Sequence, residues 1–254
     1  MTPEQFQLHA KIEDSHWWFV GRRHIVEKII NASVPDKKQK ILVDLGCGTG
    51  GNIGIFQDKF DCIGLDISEH AIEFARKRFP NITFISGGAE GTIYPIIEKA
   101  DMVLLLDVLE HIENDSLFLK NLVTHMPSGS HLLVTAPANM SLWSPHDESH
   151  GHFRRYTRRQ LQGVFAELPV SVRLLSYYNS FLYPVVKGIR VFTKFRGKTW
   201  GEACTDLSMP ARPINFLLTE LFASESRLLL RLMDRPHQTS LPFGVSVITL
   251  LRKV

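Results

Sequence analysis

Short apolar runs alternate with amphipathic stretches from Lys40 to about Tyr178, and this alternation constrains the fold more than any other feature of the sequence. The apolar runs predict buried strands at 41–45, 62–65, 82–85, 102–106 and 131–135. The stretches between them predict helices at 68–79, 91–99 and 116–126. Strands that alternate with helices of this length indicate an α/β fold, in which a mostly parallel sheet carries helices on both faces.

Two regions fall outside the alternation and divide the chain into four predicted parts. These are an N-terminal helical lid over 1–39, a core over 40–178, a helical insertion over 179–242 and a last core strand within 243–254. Within the insertion, the stretch 184–200 carries five positive charges with no acid among them, interleaved with apolar residues. The apolar segment 214–233 still contains glutamates and arginines, so we predict an amphipathic helix there rather than a membrane span.

Composition excludes several function classes. The net charge of +3 is too small to argue for a nucleic-acid partner, and we expect none. The three cysteines form no CxxC pair, which favours a reduced, cytoplasmic location. The N-terminal segment is polar and contains acids, so it fits neither a secretory signal nor a transit peptide. The longest run without Asp, Glu, Lys or Arg, 121–146, is too polar to span a membrane.

The sequence VDLGCGTGG at 43–51 is the strongest motif. It follows the first predicted strand and precedes a predicted helix, which is the arrangement of a glycine-rich nucleotide-binding loop. Gly46, Gly48 and Gly51 satisfy GxGxxG, so the glycines alone allow a dinucleotide and an NAD(P)-dependent oxidoreductase. Asp44 argues against this alternative, because a carboxylate at the strand end repels a pyrophosphate and suits a cationic ligand group.

Three later strands end in acidic or glycine-rich residues at the same edge of the predicted sheet. Asp66 ends the second strand, which is the position of an acid that accepts hydrogen bonds from ribose hydroxyls. The turn at 88–90 follows the third strand and is placed to frame an adenine, and Asp107 ends the fourth strand. Each residue also has a structural explanation, because aspartates cap helices and glycine turns are common.

The motifs DLGCGTG, GLDIS, GGAEG and LLLDVLEHI, in this order, make residues 40–135 resemble the class I S-adenosylmethionine-dependent methyltransferases. The resemblance implies a Rossmann-like, seven-stranded sheet whose last strand is antiparallel, with S-adenosylmethionine as the cofactor. It implies that the methionine portion contacts Asp44, Gly46, Cys47, Gly48 and Gly50. It implies further that the ribose contacts Asp66, that the adenine contacts Ala89 and Glu90, and that the sulfonium lies near Asp107. Ile67, next to Asp66, is also expected to bind the cofactor. Many relatives carry an acid before the alanine of the third motif, where this chain has Gly88.

The loop after the fifth strand, 137–157, is the best source of groups for the chemistry of methyl transfer. Transfer from a sulfonium is an in-line displacement, and an oxygen or nitrogen acceptor also needs a base to remove its proton. Histidine titrates near neutrality, and arginine can bind a carboxylate or phosphate of the substrate. We therefore predict catalytic roles for His146, His150, His152, Arg155 and Tyr156. The alternative is a surface loop whose tyrosine packs inward.

Metal binding is an open alternative at two places, although we expect a site without metal. The loop histidines have HxxxHxH spacing, but no cysteine accompanies them. Asp107, Glu110 and His111 resemble the acid–Glu–His cluster of the O-methyltransferases of ubiquinone synthesis. A Leu-Glu-His run also occurs in many metal-free methyltransferases, where it is structural.

The acceptor is predicted from the regions outside the core. The segment HWWF at 16–19, with GRR at 21–23, can close over the cofactor while it packs the N-terminal helix on the sheet. The basic and apolar residues of 184–233 predict a lipid-like or lipid-linked acceptor and contact with an anionic membrane surface, at the inner membrane face. A small-molecule acceptor, a helical cap or a dimer interface is the alternative. A protein that binds S-adenosylmethionine without turnover also fits, and the oligomeric state is open.

Overall fold

The structure is a computed structural model that describes residues 1–36, 38–88, 90–199, 201–203, 205–233, 235 and 240–254. Within these residues one sheet has the strand order β3-β2-β1-β4-β5-β7-β6. The strands are β1 (Ile41–Leu45), β2 (Asp61–Asp66), β3 (Thr83–Ser86), β4 (Met102–Leu106), β5 (His131–Pro137), β6 (Val170–Tyr178) and β7 (Ser246–Lys253). Strands β1 to β5 are parallel, and β7 lies antiparallel between β5 and β6. This confirms the α/β fold with a seven-stranded, mostly parallel sheet.

Helices cover both faces of the sheet. The α-helices are α1 (Pro3–Ile12), α2 (Trp17–Ser33), α3 (Glu69–Arg78), α4 (Glu90–Ile97), α5 (Asp115–His125), α6 (Pro145–Ser149), α7 (Arg158–Phe165), α8 (Tyr183–Arg196) and α9 (Arg212–Leu232). Ser68 begins α3 as predicted, because its side chain accepts a hydrogen bond from the Ala71 N–H. The glycine loop leads into a short 3-10 helix, Ile53–Phe56, and not into a long α-helix. Gly54 disfavours an α-helix there, and Phe79 packs against it so closely that a Cβ atom would clash.

Alternate residues of the central strands point into two apolar layers. Leu42 and Leu104 face the layer formed with α2, α3 and α9, whereas Val43 and Val103 face the layer formed with α5 and α7. Helices α2 and α9 cross closely at Gly21, where a Cβ atom would lie 2.6 Å from Phe222 Cδ1. The N-terminal region and the insertion therefore share an apolar core with the sheet, and the four-part division stays a prediction. Within the described ranges, no helix is long and apolar enough to cross a membrane.

Candidate active site

A cavity of about 880 Å³ lies at the carboxyl ends of the parallel strands, where α/β sheets bind ligands. Its floor includes the ends of β1, β2, β4 and β5, among them Asp66, Asp107 and Pro137. The aromatic side chains of α2 and the inner face of α8 form its walls. Its volume lies near the upper end of the range for ligand sites, which is about 300–1,000 Å³.

The glycine loop turns sharply away from β1 and exposes its backbone to the cavity. The N–H groups of Gly46 and Cys47 donate to the Leu65 carbonyl, at 2.7 and 3.0 Å. Gly46 has φ +77, and a Cβ atom there would lie 2.4 Å from Val108 Cγ2, so only glycine fits. Gly48 has φ +55 and open space where a Cβ atom would stand, so a ligand can approach its backbone closely.

The other two predicted loop residues differ in position, because Cys47 lines the cavity and Gly50 does not. Cys47 is buried, and burial raises the pKa of its thiol well above the usual value, so the thiol is unreactive. Gly50 lies away from the cavity lining, and a Cβ atom there would stand 3.0 Å from Phe79 Cδ2. Gly50 therefore supports the loop rather than a ligand.

Asp66 holds the loop and still faces the cavity. Its two carboxylate oxygens accept hydrogen bonds from the N–H groups of Gly48, at 2.8 Å, and Ser68, at 2.9 Å. Each carboxylate oxygen has a further lone pair, so hydroxyl groups of a ligand can bind as well. Ile67, the next residue, lies on the cavity wall, and its large apolar side chain is 83% exposed. Of the predicted adenine residues, Glu90 is the first residue of α4, and Ala89 lies outside the described residues.

Asp44 lies beneath the loop, inside the protein. It is 0% exposed, and neither carboxylate oxygen has a hydrogen-bond partner among the described residues. Burial raises its pKa to about 7, and the nearby positive charge of Arg22 limits this rise. Asp44 does not line the cavity, so its charge acts on a bound ligand from beneath the loop, where it favours a cationic group.

Arg22 of α2 reaches the same region, although no sequence motif predicts it as a site residue. Its guanidinium pairs with Asp107 and lies 4.3 Å from the ring centroid of Trp18. Asp107 has φ +56, a strained conformation that turns its carboxylate toward Arg22 and Thr135. Position 22 shares the buried face of α2 with Ile25 and Ile29, and an arginine on such a face is a signal that the sequence contained.

Glu13, between α1 and α2, ties the N-terminal helices to the glycine loop. Its carboxylate accepts a hydrogen bond from Thr49 Oγ1 at 2.6 Å and pairs with Arg78 of α3. Arg78 also donates to the Thr49 carbonyl at 2.9 Å. These contacts hold the N-terminal segment over one side of the cavity. Sequence spacing gives no sign of them, because the partners are 36 and 65 residues away.

The loop after β5 is organised around Asp147, which is 0% exposed. Its carboxylate accepts hydrogen bonds from Arg155 Nη1 at 2.7 Å, His152 Nδ1 at 3.0 Å and the Ser144 N–H at 3.0 Å. Burial opposes ionisation, but the hydrogen bond from His152 and the charges of Arg155 and Arg190 lower the pKa of Asp147 to about 2. Asp147 is therefore ionised at neutral pH and carries a negative charge at the cavity wall.

All three predicted histidines line the cavity, but their environments differ. His146 accepts a hydrogen bond from the Asp206 N–H, and His150 Nδ1 donates to the His146 carbonyl at 2.8 Å. Burial lowers the pKa of His146 well below its usual value and that of His150 to about 4. Among these three histidines, only His152 is hydrogen-bonded to a carboxylate. This partner fixes its Nδ1, and its Nε2 lies 3.9 Å from Oε1 of Glu110.

Two other predicted catalytic residues have structural contacts instead. The Arg155 guanidinium binds Asp147 and the carbonyls of Ala138 and Val245, so it is not free to clamp a substrate anion. The Tyr156 hydroxyl donates to Asp115 at 2.7 Å, and its ring packs in the apolar layer away from the cavity. The inward-packing alternative thus describes Tyr156 better than a catalytic role.

One group of metal-binding type occurs within the described residues. The potential ligand atoms of Glu110, His111 and His152 lie within 4.8 Å of one another. Glu110 is 1% exposed, and its Oε2 atom has no hydrogen-bond partner in the described part of the chain. The sequence motif suggests a metal cluster of Asp107, Glu110 and His111. In the structure, His152 and not Asp107 forms the group with Glu110 and His111. The residue types fit a divalent cation, and the same imidazole also fits the role of a base.

Comparisons with known proteins agree with this geometry. A family model described as a methyltransferase domain matches residues 19–168. Ajmaline N-methyltransferase from Rauvolfia serpentina is 26% identical over 159 residues, which are 59% of this chain and 53% of that protein. Trans-aconitate 2-methyltransferase from Methylobacterium radiotolerans is 28% identical over 113 residues, 43% of either chain. The chain spans about half the length of these curated relatives.

A solved structure shows the same fold over most of the chain. The plantazolicin methyltransferase BamL, in complex with a triazolic desmethylPZN analog and SAH, superposes with a TM-score of 0.57 and 17% identity. The match covers 92% of this chain and 85% of that chain. At this identity the likeness establishes the architecture, and the chemistry has to be argued from the residues.

Proposed function

We propose that this chain, which belongs to the methyltransferase domain family, is an enzyme that transfers a methyl group from S-adenosylmethionine to a small-molecule or lipid-like acceptor. The observation that carries the proposal is Asp44, a fully buried carboxylate without a partner among the described residues. From beneath the glycine loop, its charge attracts a cation like the methionine ammonium and repels a pyrophosphate, which disfavours the NAD(P) alternative. The relative BamL, solved with SAH, has the same architecture.

The residues around the glycine loop fit this cofactor. Asp44 and the open backbone at Gly48 would hold the methionine end, and Asp66 would bind the ribose hydroxyls. Arg22 lies beside Asp107 and is the cation best placed for the methionine carboxylate. When bound, S-adenosylmethionine supplies a methyl group on a positively charged sulfur atom.

The proposed base is His152. His152 lines the cavity, and its Nδ1–H donates to Asp147, so the lone pair is on Nε2, which lies 3.9 Å from Glu110 Oε1. The proton of an acceptor O–H or N–H would move to Nε2 while the acceptor atom bonds to the methyl carbon and the electron pair of the broken bond stays on sulfur. The imidazolium that forms is stabilised by the Asp147 carboxylate, as in other His–Asp pairs.

Turnover experiments can separate the base from the metal alternative. If His152 acts as a base, chelation with EDTA leaves methyl transfer unchanged, and His152→Gln lowers it by about 10²- to 10⁴-fold with cofactor binding intact. If a metal bridges Glu110, His111 and His152, EDTA stops the reaction and added Zn²⁺ or Mn²⁺ restores it. The assay uses S-adenosylmethionine with a labelled methyl group and a lipid extract, and counts label in the organic phase. No transferred label in any lipid or small-molecule fraction would contradict the proposed activity.

The proposed acceptor class rests on the walls of the cavity. Apolar side chains from α2, α8, α9 and the preceding loop cover much of its lining, including Trp17, Trp18, Val186, Leu207 and Leu218. A site of this volume and character suits an acceptor with a long apolar body. We therefore favour a lipid-like acceptor over a small polar one.

The outer surface of α8 and α9 supports the same acceptor class. The exposed apolar side chains of α8 are Val185, Ile189, Val191, Phe192 and Phe195, and those of α9 are Ile214, Phe216, Leu217 and Leu221. Val185 and Ile189 also line the cavity, so the exposed apolar side of α8 continues into the site. Cationic side chains are interleaved with it on α8, and Phe195 is 92% exposed. We propose that this surface, residues 184–233, contacts an anionic bilayer and receives the acceptor from it.

Vesicle binding tests the membrane contact independently of turnover. We expect the protein to sediment with vesicles containing phosphatidylglycerol but not with pure phosphatidylcholine vesicles. Each basic residue near an anionic surface contributes about 1 kcal/mol, so Lys194→Ala/Arg196→Ala weakens binding about 30-fold. The control Leu117→Ala/Lys120→Ala removes an exposed apolar and a basic residue from α5 and leaves binding unchanged. Equal binding by the two double variants would remove the membrane proposal.

A further inference from the structure

Asn179 is a polar group of the cavity wall that the proposed mechanism does not use. It is 0% exposed, and it lines the cavity. Neither its amide nitrogen nor its amide oxygen has a hydrogen-bond partner in the part of the chain that the structure describes. Leaving a buried polar group unpaired costs about 1–3 kcal/mol. Such a group on a ligand cavity therefore points to a ligand that completes its hydrogen bonds.

The backbone holds Asn179 in a defined orientation. It follows β6 directly and has φ +55, in the left-handed region that asparagine tolerates better than most residues. The next two N–H groups, of Ser180 and Phe181, donate to Glu225 Oε1 at 2.7 and 2.8 Å. Glu225 belongs to α9 and is itself 0% exposed. The insertion helix thus fixes the turn that carries Asn179.

The strand register places Asn179 at the far side of the cavity from the cofactor residues. Tyr178 pairs with Ser246, and Ser246 pairs with Pro137, so the end of β6 lies two strands from the end of β5. Asp107 ends β4, one strand further. Neighbouring strands are about 4.8 Å apart, which puts Asn179 about 14 Å from Asp107 along the sheet edge. An acceptor that reaches both regions therefore needs an extended body.

We propose that Asn179 forms an acceptor subsite for an uncharged group that both donates and accepts hydrogen bonds, a hydroxyl or a carboxamide, on an otherwise apolar molecule. The amide oxygen accepts and the amide nitrogen donates, so this ligand chemistry satisfies both ends. By register, the neighbouring cavity residues are Pro137 and Ser246. Val245, which precedes Ser246, and Leu182, three residues after Asn179, also line the cavity. None of these four side chains is charged, and the nearby Glu225 carboxyl does not line the cavity and is already bound by the Ser180 and Phe181 N–H groups, so a neutral ligand group fits this place best. The assignment of the ligand as acceptor rests on the proposed function, but its binding does not require turnover.

The test compares four probes with the same apolar body and different head groups: 1-octanol, octanamide, octylammonium and octanoate. Each probe is titrated at pH 7 into protein saturated with S-adenosylhomocysteine. Binding is read from the change in tryptophan fluorescence, because Trp17 and Trp18 line the cavity. We expect the two neutral probes to bind at least about tenfold more tightly than the two charged ones. Asn179→Gly keeps the backbone conformation, and this preference should fall to less than twofold.

Two further variants make the result specific. Asn179→Asp keeps the shape but lacks the amide donor, so octanamide and octanol should bind it more weakly than the wild type. The control Asn139→Gly removes a second asparagine with positive φ, +57, that does not line the cavity, and it should retain the wild-type preference. Equal affinity of the wild type for all four probes, or an unchanged preference in Asn179→Gly, would overturn the proposal. Loss of S-adenosylhomocysteine binding in the wild type would instead contradict the proposed function.

Discussion

Replacement of Asp44 by asparagine tests the electrostatic basis of cofactor binding. Burial raises the pKa of Asp44 to about 7 in the ligand-free protein, so the carboxyl group is partly protonated at neutral pH. A cationic ligand binds the ionised form, and the ionised fraction falls about 90-fold between pH 8 and pH 5. We expect the affinity of the wild type for S-adenosylhomocysteine to fall by the same factor in titration calorimetry. Asp44→Asn should bind about 10- to 100-fold more weakly at pH 8 and lose this pH dependence.

The same substitution should have the opposite effect on the stability of the ligand-free protein. The pKa of Asp44 in the folded state lies above its unfolded value of 3.8, so its protonation stabilises the fold below pH 3.8. That contribution is lost as the pH rises to about 7. The difference between the folded pKa of about 7 and the unfolded pKa of 3.8 corresponds to about 4 kcal/mol of stability. From pH 5 to pH 8, Asp44 therefore lowers the free energy of unfolding by about 3 kcal/mol. The free energy of unfolding of Asp44→Asn, measured by denaturant titration at pH 5 and pH 8, should lack this decrease.

A second aspartate at a strand end provides the matched control. Asp101 immediately precedes β4, at the amino ends of the parallel strands and thus at the end of the sheet opposite the cavity. It accepts hydrogen bonds from Lys40 Nζ at 2.7 Å and from the Ile41 N–H at 2.9 Å. Asp101→Asn should leave the affinity for S-adenosylhomocysteine and its pH dependence unchanged. The electrostatic reasoning is wrong if Asp44→Asn binds with wild-type affinity at pH 8, or if the wild type binds equally well at pH 5.

Three other substitutions examine separate parts of the site. Asp66→Ala removes the proposed ribose partner and should weaken S-adenosylhomocysteine binding by about 1–3 kcal/mol in calorimetry; wild-type affinity would count against the ribose assignment. His152→Ala should leave that affinity unchanged and lower turnover by about 10²- to 10⁴-fold, whereas unchanged turnover would exclude His152 as the base. Gly46→Ala brings a Cβ atom against Val108 at a positive φ, so we expect a loss of about 1–3 kcal/mol in thermal unfolding. An unshifted melting temperature would show that the loop relaxes freely.

The sheet was predictable where strands are buried on both faces. β1 and β4 have the predicted bounds, because every residue of these strands except Ile41 is buried and the sequence is apolar apart from Asp44. β6 was missed as a separate strand, because it lies at the edge of the sheet, exposes Ser171 and has a register shift between Val172 and Leu174. Its apolar pattern is correspondingly broken.

The candidate site was predictable only where local sequence determines position. Asp66 and Asp107 were placed correctly on the cavity, because strand ends and the glycine loop set their positions. Arg155 was assigned to a substrate anion, but its partner is Asp147, and only the folded chain shows that its donors are already used. Arg22 and Glu13 were missed, because the residues they contact lie far away in sequence.

The most direct test of the central claim is a calorimetric titration of the wild-type protein with S-adenosylmethionine, S-adenosylhomocysteine and NADPH under the same conditions. If the buried carboxylate beneath the glycine loop selects a nucleoside that carries an ammonium group, the first two ligands bind stoichiometrically and NADPH gives no heat above dilution. Tight binding of NADPH, with no binding of either sulfur compound, would contradict the account.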